Sequence, residues 1–388
     1  MYSDGAWVDE LRCPIPARLC PYADEVQDWL VDWADRVGGP LDSEARGRLA
    51  RGGVARYAGR LYPDATEADL QVLSALFTWF FLLDDACDAT RRPRPAEVAA
   101  LCDGVLRLLR HPPGTAGSRP ANQSPAAPGT RSPNGPAARL TSPPQTRSAN
   151  QPGPRPEPFD GPLRRMLTDA WQVPSRRMSA SWRDRFVDAV AHHLDGVVTE
   201  ATNKATGRLP SVAEYVPLRR ATSAAYVSYA LIEFATGRPV PNAVYHHPAV
   251  REVAATANDL LSWFNDLLSL DRDAATSGGH NLVLAVAREQ GIPVEAAVRV
   301  VVRRWQRSMR RFVELRDAVP SFGSALDGSL REYLEGVANS VRGTMDWSLE
   351  SGRYRDALPP ARPANSAVRL ERLPGPTPLT RDDFPAAP

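Results

Sequence analysis

Apolar residues recur at intervals of three and four along almost the whole chain, and no stretch alternates every second residue between hairpin turns. That period commits the chain to helices, each with a face that must bury against another helix. From residue 23 to residue 38, Val26, Trp29, Leu30 and Trp33 share one face before Gly38-Gly39-Pro40 stops the run. Similar patterns occupy about 43 to 60, 66 to 90, 95 to 110, 161 to 173, 178 to 203, 211 to 236, 248 to 274, 292 to 318 and 324 to 350. The fold class expected is an all-α bundle.

Two stretches break the pattern. Residues 111 to 160 hold 13 of the 37 prolines and 5 of the 26 glycines, with only Leu140 and Phe159 as large apolar side chains. Such a composition cannot bury enough surface to offset the entropy of ordering it, and a solvated, disordered insertion is expected. Beyond about Leu358 the chain is again proline-rich and without helical period. The expected organisation is an N-terminal segment, 1–22, one helical domain in two parts, 23–110 and 161–357, separated by the insertion 111–160, and a tail, 358–388. The two parts are read as one domain because the polar residues below come from both.

Charge and cysteines narrow the function classes. With 47 basic against 45 acidic side chains, the formal charge of +2 gives no footprint for nucleic acid. Cys13, Cys20, Cys87 and Cys102 lack paired C-x-x-C spacing and read as reduced thiols. The first 21 residues carry Asp4, Asp9 and Glu10 and lack the basic start and apolar run of a signal peptide. The most apolar stretch, Val72 to Leu83, is too short to span a bilayer and ends in carboxylates, so a buried core helix is expected there. A soluble cytoplasmic protein without stable membrane insertion follows as the expectation.

That apolar helix ends Phe80-Phe81-Leu82-Leu83-Asp84-Asp85-Ala86-Cys87-Asp88. Asp84 and Asp88 stand one turn apart on one face, with Asp85 turned away. Like charges at that spacing repel, and a hard divalent cation relieves the repulsion. Phe77, Phe80 and Phe81 precede them, so an aromatic wall lies below a candidate metal rim. Farther on, Asn265, Ser269 and Asp273 fall at steps of four, placing an amide oxygen, a hydroxyl and a carboxylate along one stripe. All three are hard oxygen donors with a single charge among them, which suits magnesium shared with a diphosphate. Arg272 adds positive charge beside them. The histidines at 192, 193, 246, 247 and 280 form no H-E-x-x-H or nucleophile pairing, and no role is assigned to them.

Asp84-Asp85-x-x-Asp88 resembles the aspartate-rich motif of bacterial class I terpene synthases, and Asn265-Asp266-x-x-Ser269-x-x-Arg272-Asp273 resembles their second magnesium motif. Tyr215-Val-Pro-Leu-Arg219-Arg220-Ala-Thr222-Ser223 looks like the segment holding the family's diphosphate-sensing arginine. Arg219, which lies 46 residues before Asn265, is preferred to Arg220 for that role. Arg353-Tyr354 resembles the C-terminal Arg-Tyr pair, and Cys13-Pro14-Ile15-Pro16-Ala17-Arg18 with Pro21 the proline-containing strap before the first helix. Two departures stand out: Asp273 where many relatives have glutamate, and Ser223-Ala224 without the glycine that often breaks the helix near the substrate.

The resemblance implies a single helical bundle around a central cavity, an isoprenyl diphosphate substrate and three Mg²⁺ ions, and it leaves room for a homodimer. It implies metal ligands Asp84, Asp88, Asn265, Ser269 and Asp273. Diphosphate contacts would come from Arg219, Thr222, Ser223, Arg272, Arg353 and Tyr354. The hydrocarbon wall would draw on Phe77, Phe80, Phe81 and Trp347, with Trp79 and Trp263 as further aromatic candidates. Farnesyl diphosphate is the expected substrate and geranylgeranyl diphosphate the alternative. A prenyl chain-elongating synthase would need a second aspartate-rich motif where Asn265 to Asp273 stands; a non-catalytic helical interaction protein is the remaining rival.

Overall fold

The computed structural model describes residues 6–88, 94–112, 159–276 and 280–351, and there is no strand among them. The first half runs α1 (Ala23–Trp33), α2 (Ser43–Gly52), α3 (Val54–Leu61), α4 (Glu67–Asp88), α5 (Pro95–Arg110), α6 (Gly161–Arg177) and α7 (Ala180–Thr206). The second half runs α8 (Val212–Thr222), α9 (Ala225–Thr236), α10 (Asn242–Tyr245), α11 (Pro248–Leu268), α12 (Leu270–Thr276), α13 (Leu282–Gln290), α14 (Val294–Asp317) and α15 (Ser324–Glu350). Three expected runs are split. Gly53, at φ 61°, separates α2 from α3; Ser223 and Ala224 separate α8 from α9; Ser269 separates α11 from α12. Two short helices, α10 and α13, escaped the sequence pattern because neither is long enough to show a period.

Local chemistry places the ends. Asp42 accepts from the Ala45 amide at 2.7 Å to start α2, and Ser179 does the same for Trp182 in α7. Ser211 and Glu214 form a reciprocal capping box on α8.

Tryptophans hold the bundle together. Trp33, Trp79, Trp171, Trp182 and Trp305 are almost wholly buried, and a buried indole N–H needs an acceptor. Trp33 donates to Asp169 at 2.7 Å, Trp79 to the Leu163 carbonyl at 2.8 Å and Trp171 to that of Leu109 at 3.2 Å. Trp182 reaches the Ala230 carbonyl at 2.7 Å and Trp305 that of Leu260 at 2.9 Å. Each pins one helix to another at fixed register: α1, α4 and α5 to α6, α7 to α9, and α14 to α11.

The helix α9 reads Ala-Tyr-Val-Ser-Tyr-Ala-Leu-Ile-Glu-Phe-Ala-Thr, apolar all round, and it is buried all round. It packs on α4, α7, α8, α11 and α15, so the helices bearing the candidate site surround it. Gly336 lets α15 approach α9, since a Cβ there would stand 2.7 Å from Ile232. The one charge on α9, Glu233, is buried and takes both nitrogen-to-oxygen contacts from Arg185 Nη2, at 2.7 and 2.8 Å, plus the Val240 amide at 2.6 Å.

Two sequence expectations need adjustment. The apolar window of α4 extends over Glu67–Cys87, 21 residues at mean hydropathy 1.4, and is long and apolar enough to cross a membrane. In this fold its Leu70, Leu73, Leu76, Trp79 and Leu83 are buried against α1, α3, α6 and α9. The insertion ends earlier than expected, at its C-terminal edge: Phe159 is buried, sits edge-on to Trp79 at 6.4 Å and covers Gly104. Its interior and the tail at 358–388 lie outside the described residues. Of the N-terminal segment 1–22, the described part opens with a 3₁₀ turn, Ala6–Glu10. There Trp7 meets Phe264 of α11 edge-on at 6.1 Å. Arg18 then pairs with Asp64 and Glu335, tying this strap to α15 and to the loop before α4.

Candidate functional site

The oxygen stripe survives the break between α11 and α12. Although α11 stops at Leu268, the Ser269 amide still donates to the Asn265 carbonyl and the Asp273 amide to the Ser269 carbonyl, both at 2.8 Å. Asn265, Ser269 and Asp273 therefore keep their helical spacing. The Ser269 hydroxyl donates to Asp273 Oδ2 at 2.6 Å, and Asn281 Nδ2 donates to the same oxygen at 3.0 Å. Arg272 is half-exposed beside Asp273, Nε to Oδ1 3.4 Å. Among the described residues no three His, Cys, Asp or Glu side chains converge, because this stripe offers an amide, a hydroxyl and one carboxylate. That donor set, all oxygen and singly charged, fits a hard divalent cation that shares its shell with an anionic ligand.

Arg219 of α8 brings a cation to the stripe. Its Nη2 donates to Asn265 Oδ1 at 3.0 Å and its Nε to Asp266 Oδ1 at 2.8 Å. Asp266 is buried and also accepts from the Tyr215 hydroxyl at 2.8 Å and the Leu282 amide at 3.1 Å, while Asn281 holds its carbonyl at 2.7 Å. Burial pushes the Asp266 carboxyl up from the usual range, and Arg219 and Tyr215 pull it back. Burial also opposes the Arg219 cation, but Asp266 more than offsets this and its pKa stands above that of a free arginine. With three donors converging on one carboxylate, the pair is ionic. Arg220 points elsewhere, in a two-pronged contact with Asp259 at 2.7 Å on each prong. The Thr222 hydroxyl turns back to the Arg219 carbonyl at 3.4 Å.

Asp84 and Asp85 are exposed at the C-terminal end of α4. The helix reaches Asp88, but that side chain lies outside the described residues, as do Arg353 and Tyr354. Below the acidic end the aromatic wall divides. Phe77 and Phe81 join Tyr57 of α3 and Trp347 of α15: Tyr57 and Trp347 stack at 4.4 Å, Phe81 and Trp347 at 5.6 Å, and Phe77 meets Tyr57 edge-on at 5.3 Å. Phe80 turns away toward Trp79 and His193. Two sequence candidates drop out of the wall. Trp79 is a core residue bonded to α6, and the Trp263 ring already carries Arg304, 4.7 Å from its centroid.

Sequence reasoning did not single out Tyr57, quoted Asp266 only as part of the motif, and assigned His193 no role. Tyr57 is one apolar position in a short helix, and only the tertiary fold brings it to α4 and α15. His193 sits on α7 where Gly196 lets that helix approach the end of α8; a Cβ on Gly196 would stand 2.7 Å from that of Ala221. The ring's Nδ1 is 3.1 Å from the Ala221 carbonyl, a bond that makes Nδ1 the protonated nitrogen. Burial pushes the His193 pKa down to about 4, so the ring is neutral in the fold. The unfolded chain takes up this proton near pH 6.5 and the folded chain only near 4. Its stabilising contribution is therefore complete above pH 6.5 and is lost as pH falls from there toward 4, a loss of roughly 3 kcal/mol. Urea unfolding at pH 7 and pH 4.5 checks this: the fall in stability should be smaller in His193→Gln by roughly 2–3 kcal/mol. Equal falls in the two proteins would refute it.

The bundle brings a half-buried arginine to a stripe of oxygen donors and gathers aromatic rings below the acidic end of α4, the parts that a metal-assisted site for an anionic substrate with a greasy body needs. The chain belongs to the terpene synthase family, since terpene synthase family 2, C-terminal metal binding, matches residues 75–311. The 10-epi-cubebol synthase of Sorangium cellulosum is 27% identical over 89% of this chain and 98% of its own length. The germacrene A synthase of Nostoc punctiforme is 25% identical over 89% of this chain and 94% of its own. Among solved structures, the linalool/nerolidol synthase of Streptomyces clavuligerus superposes with a TM-score of 0.67 at 26% identity, covering 86% of this chain and 98% of that one. The chain is thus a class I terpene synthase, a lyase that acts on a prenyl diphosphate with a divalent metal.

Proposed function

We propose that the enzyme takes farnesyl diphosphate and cyclises it to a sesquiterpene hydrocarbon or alcohol, with three Mg²⁺ ions bound. The observation that carries this reading is Arg219, half-buried and bonded to both Asn265 and Asp266, which puts a fixed cation at the oxygen stripe. Farnesyl diphosphate is favoured because a relative 27% identical, from Roseiflexus castenholzii, is a (+)-T-muurolol synthase described as farnesyl diphosphate cyclizing.

In this reading Asn265, Ser269 and Asp273 hold one part of the metal cluster, and Asp84 and Asp88 the other. When bound, Mg²⁺ supplies Lewis-acid stabilisation of the diphosphate leaving group. Arg219 and Arg272 add cationic hydrogen-bond donors to the same oxygens, and Arg353 and Tyr354 complete the contacts. Their effect is greatest where charge develops as the carbon–oxygen bond breaks. The allylic cation left behind faces Tyr57, Phe77, Phe81 and Trp347, whose rings contribute about 2 kcal/mol of cation-π attraction in a dry site. The wall also keeps water from capturing the cation early.

Incubation with geranyl, farnesyl and geranylgeranyl diphosphates, with and without Mg²⁺, tests the reading through diphosphate release and product analysis. Metal-dependent release is expected, fastest with the C15 substrate. Turnover of the C20 substrate alone would replace the sesquiterpene assignment with a diterpene one, and no release from any of the three would sink the proposal.

A further inference from the structure

The break between α8 and α9 is unusual for its sequence. Ala224 adopts φ 57° and ψ 10°, the one non-glycine residue with positive φ among the described residues. The apolar period runs unbroken from 211 to 236 and no glycine interrupts it, so local preference favours one continuous helix. Something outside the segment must hold the left-handed residue in place.

Asn258 of α11 does so. Fully buried, it donates from Nδ2 to the Arg220 carbonyl at 2.9 Å. Its Oδ1 accepts from the Ser223 hydroxyl at 2.8 Å and from the Ser262 hydroxyl at 2.9 Å. The Ser223 oxygen in turn accepts the Ala225 amide at 3.1 Å, the first amide beyond Ala224. Beside it, Asp259 grips the Arg220 side chain with both oxygens. Asn258 and Ser262 precede Asn265 on α11, at seven and three residues' distance, so the helix that carries the oxygen stripe grips the break at Ser223 and also holds the carbonyl of Arg220, the residue next to Arg219.

We propose that Asn258 is a positioning residue for the reaction: it clamps the α8–α9 break around the left-handed Ala224 and thereby fixes Arg219, and the carbonyls of the break, relative to the oxygen stripe. Every group in the clamp is neutral except the flanking Arg220–Asp259 pair, so its grip depends on geometry. The proposal rests on the terpene synthase reading for its effect on turnover, and on the backbone alone for its effect on the break.

The test uses Asn258→Ala and the near-isosteric Asn258→Leu, which keeps the volume but loses both the donor to Arg220 and the acceptor for Ser223. Each is made alone and combined with Ala224→Gly, because glycine removes the backbone penalty that the clamp opposes. With farnesyl diphosphate and Mg²⁺, the single variants should lose about 10–100-fold in kcat, with a smaller change in KM and a broader product mixture. Adding Ala224→Gly should restore most of the lost kcat and narrow the products again. In the substrate-free protein, amide hydrogen exchange over residues 220–228 should accelerate about tenfold in Asn258→Ala. Unchanged exchange there overturns the clamp even if the enzyme turns over no substrate tried. A lowered melting temperature with wild-type kcat and products, or a kcat loss that Ala224→Gly does not relieve, overturns the positioning role.

Discussion

Asn265→Ala is expected to cut kcat/KM by about 10²–10³-fold while the protein stays folded. Asn265 is half-buried at the end of α11, and Arg219, which donates to its side chain at 3.0 Å, keeps a second and stronger acceptor in Asp266. The fold therefore loses about 1 kcal/mol of hydrogen bonding. The metal site loses one of the three oxygens on the stripe, and the remaining pair, Ser269 and Asp273, already face each other at 2.6 Å. Titrating Mg²⁺ against initial rate separates the two effects. The variant's rate should rise at metal concentrations where the wild type is saturated, while circular dichroism and the melting temperature stay near wild type. A rate within tenfold of wild type at limiting metal would refute the ligand assignment.

What the sequence disclosed follows from how local each signal is. The period of three and four placed α5 and α15 to the residue, because long amphipathic faces are repeated many times over. It ran straight through Ser223-Ala224 because the left-handed turn there is imposed by Asn258, which is local to another helix. The Asn265–Asp273 stripe was legible since its spacing is helical on both sides of the break. Asp266 was hidden in plain view: it lies one position along from Asn265 and off the stripe, and only the structure shows Tyr215, Arg219 and Leu282 converging on it. Trp79, Trp263 and Trp347 are alike in sequence, each an indole on an apolar helix. Their neighbours alone divide them into core staple, partner of Arg304 and member of the aromatic wall.

Asp266→Ala should destabilise the fold by about 3–5 kcal/mol, the usual consequence of removing one partner of a buried ion pair. The Asp266 side chain is 2% exposed and that of Arg219 16%, so water cannot replace the lost carboxylate. The guanidinium would lose its counter-charge and keep only the Asn265 amide oxygen, the Tyr215 hydroxyl would keep only the longer bond to the His280 carbonyl at 3.4 Å, and the Leu282 amide would lose its Asp266 acceptor. A fall of roughly 5 °C in melting temperature follows, measurable by calorimetry in the absence of substrate. The double variant Asp266→Leu with Arg219→Met removes both charges and fills their space, and it should recover much of that stability, since apolar replacements of buried pairs are often neutral. Activity should not return with it. In the proposed reaction the Arg219 cation, held by the Asp266 carboxylate, serves the diphosphate, so a double variant that lacks it should stay inactive even when folded. A double variant that regains stability and turns over substrate at the wild-type rate would show that the pair is structural and that another group senses the leaving diphosphate.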